Sequence, residues 1–302
     1  MGKIAFLFSG QGDQFPGMGQ DLYEAHDKAK EIFHRCEALR PGTIAQCFQG
    51  TAEELKETVN TQPCLFAMEL AAAAVLMEQG IVPDATAGFS LGEVTAATVA
   101  GMFDRETGFR LVCKRGQLMQ QEAEKVDTTM AAVVKLTPEA VSQLCSRYDQ
   151  VYPVNFNCPG QITVSGLREQ MENFAQDVKA AGGRALPLKV KGAFHSPFMV
   201  QAAEGFAQEL SKSEIRKPEV PLYSNVTAQP YTDNAAQLLS KQIASPVQWQ
   251  KIIENMIADG VDTFVEIGPG KTLTNMVRKI NAQVSTYCVA ELETLLAEVR
   301  VC

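Results

Sequence analysis

Gly88 Phe89 Ser90 Leu91 Gly92 sets a serine between small residues, after the apolar run Ala85 to Gly88 and before the helix-compatible run Leu91 to Gly101. A sharp strand-to-helix turn of this G-x-S-x-G type exposes the serine hydroxyl, and the new helix aims unpaired N–H groups back at it. The chemistry would be nucleophilic attack on an acyl carbon, which requires a base. A glycine-rich turn with an incidental serine fits the same five residues, so the base decides.

The chain has three histidines. His26 and His34 fall in Leu22 to Leu39, among Glu24, Asp27, Lys28, Lys30, Glu31 and Arg35, the pattern of a solvated helix face. His195 follows the strand-like run Arg184 to Val190 in Lys191 Gly192 Ala193 Phe194 His195 Ser196 Pro197, just before a predicted helix. It therefore sits on a loop, where chemistry-bearing groups are commonly held by a rigid scaffold. A neutral imidazole there can take the hydroxyl proton and return it to a leaving group. Its structural alternative is a loop histidine at a helix end.

Two further positions carry possible chemistry. Arg115, in Cys113 Lys114 Arg115 Gly116, lies in an amphipathic helix and is either a surface cation or a guanidinium fork for a substrate carboxylate. The spacing leaves both open. Gln11, between Gly10 and Gly12 after the first strand, offers a backbone N–H to a developing oxyanion, with Leu91 N–H as second donor. An ordinary glycine turn is the competing reading. Gly270 Lys271 Thr272 matches only the end of a phosphate-binding loop, because the template's first glycine falls on Val265. Glu266 to Gly270 also fits a methyltransferase glycine loop, but too little chain follows it. A strand-to-helix turn with Lys271 at its mouth is the better reading.

Composition bounds the rest. A chain of 302 residues with 46% hydrophobic content can bury a large core. Eight cysteines without a C-x-x-C pair point to reduced thiols in a cytoplasmic setting, and no metal site is expected. A net charge of −8 argues against nucleic acid as main partner, since phosphate binding needs concentrated positive charge. Leu65 to Met77 is too short and interrupted by Glu69 to cross a bilayer, and Met1 to Phe8 runs straight into a strand pattern instead of a secretion signal. No membrane partner is expected.

Apolar strands alternate with helical patterns, the signature of an α/β fold with a mainly parallel sheet covered on both faces. Predicted elements are strands at Lys3 to Phe8 and Ala85 to Phe89, with helices at Leu22 to Leu39, Ala52 to Val59, Cys64 to Gln79, Leu91 to Ala100 and Arg105 to Glu124. Thr51 and Glu54 are placed as a capping box. The middle then reads strand, helix, strand, strand, helix, strand, from Thr129 to Val190. That order is of a ferredoxin-like α+β unit. The division is therefore residues 1–125 and 193–302 as a large α/β-hydrolase-like catalytic domain, with 126–192 as an inserted small subdomain. Ser90 and His195 then share the large domain, and a cleft between the two bodies is the natural substrate site.

Taken together, the segments resemble the malonyl-CoA:acyl carrier protein transacylases of fatty-acid synthesis and the related acyltransferase domains of polyketide synthases. The resemblance runs from Phe8 to about Ile280, through Gly10 Gln11 Gly12, the Ser90 elbow with Glu93, Arg115 Gly116 with Met119, Pro153 Val154 Asn155 Phe156 Asn157, Gly192 to Ser196, Pro246 Val247 Gln248 Trp249, and Glu266 to Gly270. It implies that Ser90 attacks the malonyl thioester of coenzyme A with His195 as base, that Gln11 and Leu91 N–H groups hold the oxyanion, and that Arg115 binds the malonyl carboxylate. It further implies that a backbone carbonyl, at Gln242, orients the imidazole. The partners are malonyl-CoA and acyl carrier protein, and the coenzyme A thioester is a substrate, with no cofactor implied. Since such carrier proteins are acidic, Lys189, Lys191, Lys271, Arg278 and Lys279 are candidates for a basic rim. Two positions depart from the family's pattern: Phe89 stands where histidine usually precedes the serine, and Ser245 where asparagine is common. Val284 to Cys302 matches no motif. The Ala193 Phe194 His195 triplet is of the malonyl type. Alternatives from other classes are an acyl hydrolase on the same scaffold acting on acyl carrier protein thioesters, and a non-catalytic carrier-binding subunit.

Overall fold

The computed structural model describes residues 2–289; Met1, Cys302 and most of the motif-free stretch after Val284 lie outside the described residues. Strand β1, Lys3–Phe8, is buried at every position after Lys3, as a central strand covered on both faces must be. Helices α1, Gln20–Ala25, and α2, Asp27–Leu39, follow. The single predicted helix over Leu22 to Leu39 is broken at His26, whose φ of −130° and ψ of 122° are extended. A one-residue break hardly displaces the apolar stripe, so periodicity does not register it. Helix α3, Thr43–Gln49, was not anticipated; it buries only Thr43 and Cys47, too little for a periodic signal.

The Thr51 and Glu54 capping box forms, with Thr51 N–H donating to Glu54 Oε2 at 2.7 Å and Glu54 N–H to Thr51 Oγ1 at 3.2 Å. It caps only the 3₁₀ turn Glu54–Lys56. Helix α4, Thr58–Glu78, starts six residues before the predicted Cys64 and carries Pro63 inside it. It is the one described helix long and apolar enough to cross a membrane, and 89% of that stretch is buried inside the protein. Strand β2, Ala85–Gly88, leads through Ser90 to helix α5, Gly92–Val99, and then to α6, Arg105–Ala123, capped by Asp104.

The middle segment supplies β3, Thr128–Val134; α7, Pro138–Cys145; β4, Val151–Cys158; β5, Gln161–Leu167; α8, Arg168–Ala180; and β6, Arg184–Pro187. Thr137 caps α7 with Pro138 in its first turn, the arrangement that proline's fixed φ favours. Strand β6 stops short of the predicted Val190. The chain closes with α9, Val200–Leu210; β7, Leu222–Tyr223; α10, Ala235–Gln242; α11, Trp249–Ala258; β8, Val261–Ile267; α12, Thr272–Ile280; and β9, Ser285–Cys288.

The strands form two sheets. One is parallel, in the order β7-β2-β1-β8-β9. The other is antiparallel, in the order β4-β5-β3-β6, and α7 and α8 pack on it. The fold is therefore mixed α/β. In the parallel sheet Phe8 pairs with Gly88 on one side and with Ile267 on the other, so three strands end at one edge. Their following loops, Gly10 to Gly12, Phe89 to Leu91 and Gly268 to Gly270, meet there, where ligands of open parallel sheets bind.

Both glycines of the elbow are sites of close approach. A Cβ on Gly92 would run into the carbonyl oxygens of Phe8 and Ser9, and one on Gly88 into the Gly92 and Glu93 backbone. The pattern is therefore a packing requirement between β1, β2 and α5. Gly92→Ala is expected to destabilise the protein by about 1–3 kcal/mol, the range for overpacking a close-packed interior; denaturant unfolding measures it, and an unchanged midpoint would refute the close approach.

Candidate active site

Ser90 has a φ of 55°, the left-handed region that costs a non-glycine residue conformational energy and persists only where the surroundings over-determine it. They do so here. Ser90 N–H donates to Asn225 Oδ1 at 2.8 Å, and Ser90 C=O accepts from Gln242 Nε2 at 2.6 Å. Asn225 Nδ2 also donates to Gly88 C=O at 2.7 Å. The hydroxyl is thereby turned out of the β2–α5 junction.

His195 lies 2.7 Å away, Nε2 to Ser90 Oγ. Its backbone is also left-handed, with a φ of 61°, and its N–H donates to Ile243 C=O at 3.1 Å, tying the loop to the end of α10. The Gln242 main-chain oxygen lies 2.9 Å from Nδ1. A carbonyl only accepts, so Nδ1 carries the proton and Nε2 presents its lone pair to the serine O–H. Burial, with Arg115's charge second, holds the imidazole down to about 4, against the Gln242 and Ser245 backbone contacts that raise it. It is neutral at pH 7.

Arg115, on α6, is fully buried. Its Nη2 donates to Gln242 Oε1 at 2.8 Å and lies 3.2 Å from Ser90 Oγ. Its Nε and Nη1 are buried with no hydrogen-bond partner among the described residues. Burial lowers its pKa to about 10, with Glu93's charge opposing, so it stays cationic. Unpartnered charged donors are costly to bury, and here they sit beside a nucleophile.

The Gln11 and Leu91 backbone N–H groups have no acceptor among the described residues. Gly10 packs against Phe89, where a Cβ would lie 2.9 Å from the Phe89 oxygen and 3.0 Å from its ring, so the Gln11 loop abuts the elbow. Phe89 meets buried Trp249 edge-on, ring centroids 5.4 Å apart. A cleft of about 280 Å³ runs from here between the two sheets, lined by Gln11, Phe89, Asn155, Asn157, Leu188 and Met276 among others.

The structure thus brings Ser90, His195, Arg115 and Gln242 together, with the Gln11 loop against them. It does not bring in the other histidines: His34 Nε2 lies 3.1 Å from Tyr23 OH, on the α1–α2 face. Lys189 and Lys191 line an adjoining groove of about 470 Å³, which shares Leu188 with the cleft and also holds Lys56, Arg168, Glu53 and Glu57, and Lys191 pairs with Glu57 at 3.4 Å. Lys279 reaches Gln161, a cleft residue, at 3.5 Å, while Arg278 donates to Thr286 Oγ1 at 2.8 Å. Glu266 is a helix cap, accepting from Leu273 and Thr274 N–H at 3.0 and 2.7 Å.

Sequence reasoning missed Asn225 and Tyr231 and assigned Glu93 no role. Glu93 is fully buried; Oε1 accepts from Asn225 N–H at 2.9 Å and Tyr231 OH at 2.6 Å, and Oε2 from Gln242 Nε2 at 2.8 Å. Burial pushes it up to about 7 against these donors. A carboxylate three residues after the nucleophile, on a short helix of otherwise uncharged, small residues, was the available signal.

A nucleophile on a strained turn, a neutral base and an anion-seeking cation in one enclosed corner define an acyl-transfer site. The sequence pattern of the acyl transferase domain matches residues 5–296, and the chain belongs to that family. It is 41% identical to the malonyl CoA-acyl carrier protein transacylase of Bacillus subtilis over 98% of this chain and 96% of the relative. The structure of the malonyl CoA-acyl carrier protein transacylase of Clostridium perfringens superposes with a TM-score of 0.95 at 37% identity, covering 99% of this chain and 97% of that one. A malonyl-transacylase solved in complex with a type II polyketide synthase acyl-carrier protein gives 0.94 at 35% identity, over 98% and 99% of the two chains.

A histidine whose folded pKa lies below its unfolded value binds fewer protons folded than unfolded, so its contribution to stability is intact above about pH 6.5 and is lost as pH falls toward 4. His195→Asn should accordingly flatten the loss of stability on acidification from pH 6.5 to 4. Parallel acid-unfolding curves for variant and wild type would show that the imidazole is not held neutral.

Proposed function

We propose that this protein transfers a malonyl group from malonyl-CoA to the phosphopantetheine thiol of an acyl carrier protein, through a covalent malonyl-serine intermediate, in fatty-acid or polyketide synthesis. The observation that carries this reading is buried Arg115, whose Nη2 lies 3.2 Å from Ser90 Oγ and whose Nε and Nη1 have no partner among the described residues. An acyl group ending in a carboxylate brings the charged acceptor that the described residues do not offer those N–H groups. A hydrolase for neutral acyl chains would leave that guanidinium unpaired in every state, and the presence of Ser90 with His195 at 2.7 Å argues against a non-catalytic carrier-binding subunit.

In the first half-reaction Ser90 Oγ attacks the thioester carbon while His195 Nε2 takes its proton. The oxyanion forms against the Gln11 and Leu91 N–H groups, pre-oriented donors of the kind that lower such barriers most. Collapse breaks the C–S bond, and the imidazolium returns its proton to the coenzyme A sulfur. In the second half the carrier protein's thiol gives its proton to Nε2, attacks the serine ester, and the proton goes back to Ser90. The Gln242 carbonyl keeps Nδ1 protonated throughout, so one tautomer serves both halves. Pairing of Arg115 with the malonyl carboxylate also offsets one of the two influences that depress His195, raising the base's strength when the right acyl group is bound.

The same proposal covers the architecture. We read residues 1–125 and 193–302, of which Met1 and 290–302 lie outside the described residues, as the α/β-hydrolase-like body, and 126–192 as a ferredoxin-like insert; the strand order β4-β5-β3-β6 with α7 and α8 on it supports this. The pantetheine arm would lie in the cleft between them, beside Phe89. Coenzyme A enters as substrate and no cofactor is invoked. Free cysteines at all seven described positions support a reducing, cytoplasmic setting.

Ser90→Ala should abolish the acyl-enzyme, read by intact mass after incubation with malonyl-CoA; a persisting malonyl adduct would remove Ser90 as nucleophile. Arg115→Ala should shift the donor preference from malonyl-CoA toward acetyl-CoA by tenfold or more, about the worth of a charge-assisted hydrogen bond. An unchanged preference would take Arg115 out of carboxylate binding.

A further inference from the structure

Arg115 and Glu93 are both fully buried, and no direct ion pair joins them among the described residues. The Gln242 side chain stands between, accepting from Arg115 Nη2 at 2.8 Å and donating to Glu93 Oε2 at 2.8 Å. An amide has two unlike ends, and what faces each decides its orientation. Glu93 receives three donors, Asn225 N–H, Tyr231 OH and Gln242 Nε2, so the ionised carboxylate draws the NH₂ end. The amide oxygen is then fixed toward the guanidinium.

We propose that Glu93 is a positioning residue for acyl selection: by fixing the Gln242 amide, it holds Arg115 at Nη2 without occupying the guanidinium itself, and so keeps the remaining N–H groups clear of any protein carboxylate and open to the acyl carboxylate. This rests on the malonyl-transfer reading. A direct Arg115–Glu93 pair would spend the guanidinium's fork on the protein's own carboxylate and set a resident competitor against the substrate. With no buried anion nearby, the cation would stand uncompensated in a desolvated site. An interposed amide avoids both. It also links selection to catalysis, because Gln242 Nε2 donates to Ser90 C=O at 2.6 Å and the Gln242 main-chain oxygen orients His195. A glutamine at position 93 is neutral and can present either amide end, so it no longer dictates which end of Gln242 meets Arg115.

The test is the ratio of kcat/KM for malonyl-CoA to that for acetyl-CoA, measured at pH 8, where Glu93 is ionised. Glu93→Gln should lower the ratio by about tenfold, the worth of one buried hydrogen bond to a charged group, chiefly through KM for malonyl-CoA. Gln242→Met keeps the main-chain carbonyl that orients His195 but cuts the relay, and it decides the matter if Glu93→Gln does not fold. It should lower the ratio similarly, and the double variant should lower it no further, since coupled residues are not additive. An unchanged ratio in the folded variants overturns the proposal. So does an equal loss for both donors, which would mean that Glu93 supports only the shape of the elbow. Wild-type protein that forms no adduct from malonyl-CoA would instead overturn the transfer reading itself.

Discussion

The hydrogen bond between Ser90 and His195 exists only because two residues are held in backbone conformations that neither would adopt freely. Both have positive φ, 55° and 61°, each costing on the order of 1–3 kcal/mol. The restraints are distributed over the chain. Asn225 comes from the loop after β7, Gln242 from the end of α10, and the two glycines of the elbow let α5 press against β1. The sheet supplies the rigid frame, and the polar contacts fix the last few degrees. Together these restraints keep the serine peptide from relaxing and hold the hydroxyl against its base.

The electrostatics of the site follow from the same enclosure. A low-dielectric pocket holds an imidazole neutral, keeps a guanidinium charged but short of partners, and buries a carboxylate one amide away. In water these three groups would be ordinary. Here desolvation keeps the first unprotonated and makes the second a strong binder of an incoming anion, while the third offsets part of the cost of the second. The use of a backbone carbonyl to orient His195 fits this balance, since a second carboxylate next to the imidazole would raise its pKa and attract Arg115 away from substrate.

What could be read in advance depended on range. The elbow is local: spacing of glycines around a serine, after an apolar run, dictates a tight turn, and β2 and α5 are found where that pattern puts them. The alternating order of the middle segment likewise matches β3 through β6, because each element carries its own periodicity and β4 and β5 pair across a short local turn. Elements with little apolar content escaped: α3 buries two residues, β9 is four residues long, and His26 breaks a helix without disturbing its stripe. Asn225 and Tyr231 gave no local sign at all, as their partner Glu93 is more than a hundred positions away.

The amino-acid order alone determined the strand-turn-helix at Ser90, the loop character of His195 and the class of chemistry they suggest, since each is a matter of neighbours within a turn or two. Tertiary structure alone decided that these groups touch, that Arg115 is interior and half unpartnered instead of a solvated surface cation, and that Gln242 serves nucleophile, base and guanidinium at once. The physical reason is that local backbone preference is written in adjacent residues, whereas burial, charge and hydrogen-bond partnership belong to a site only after distant segments have closed around it and excluded water.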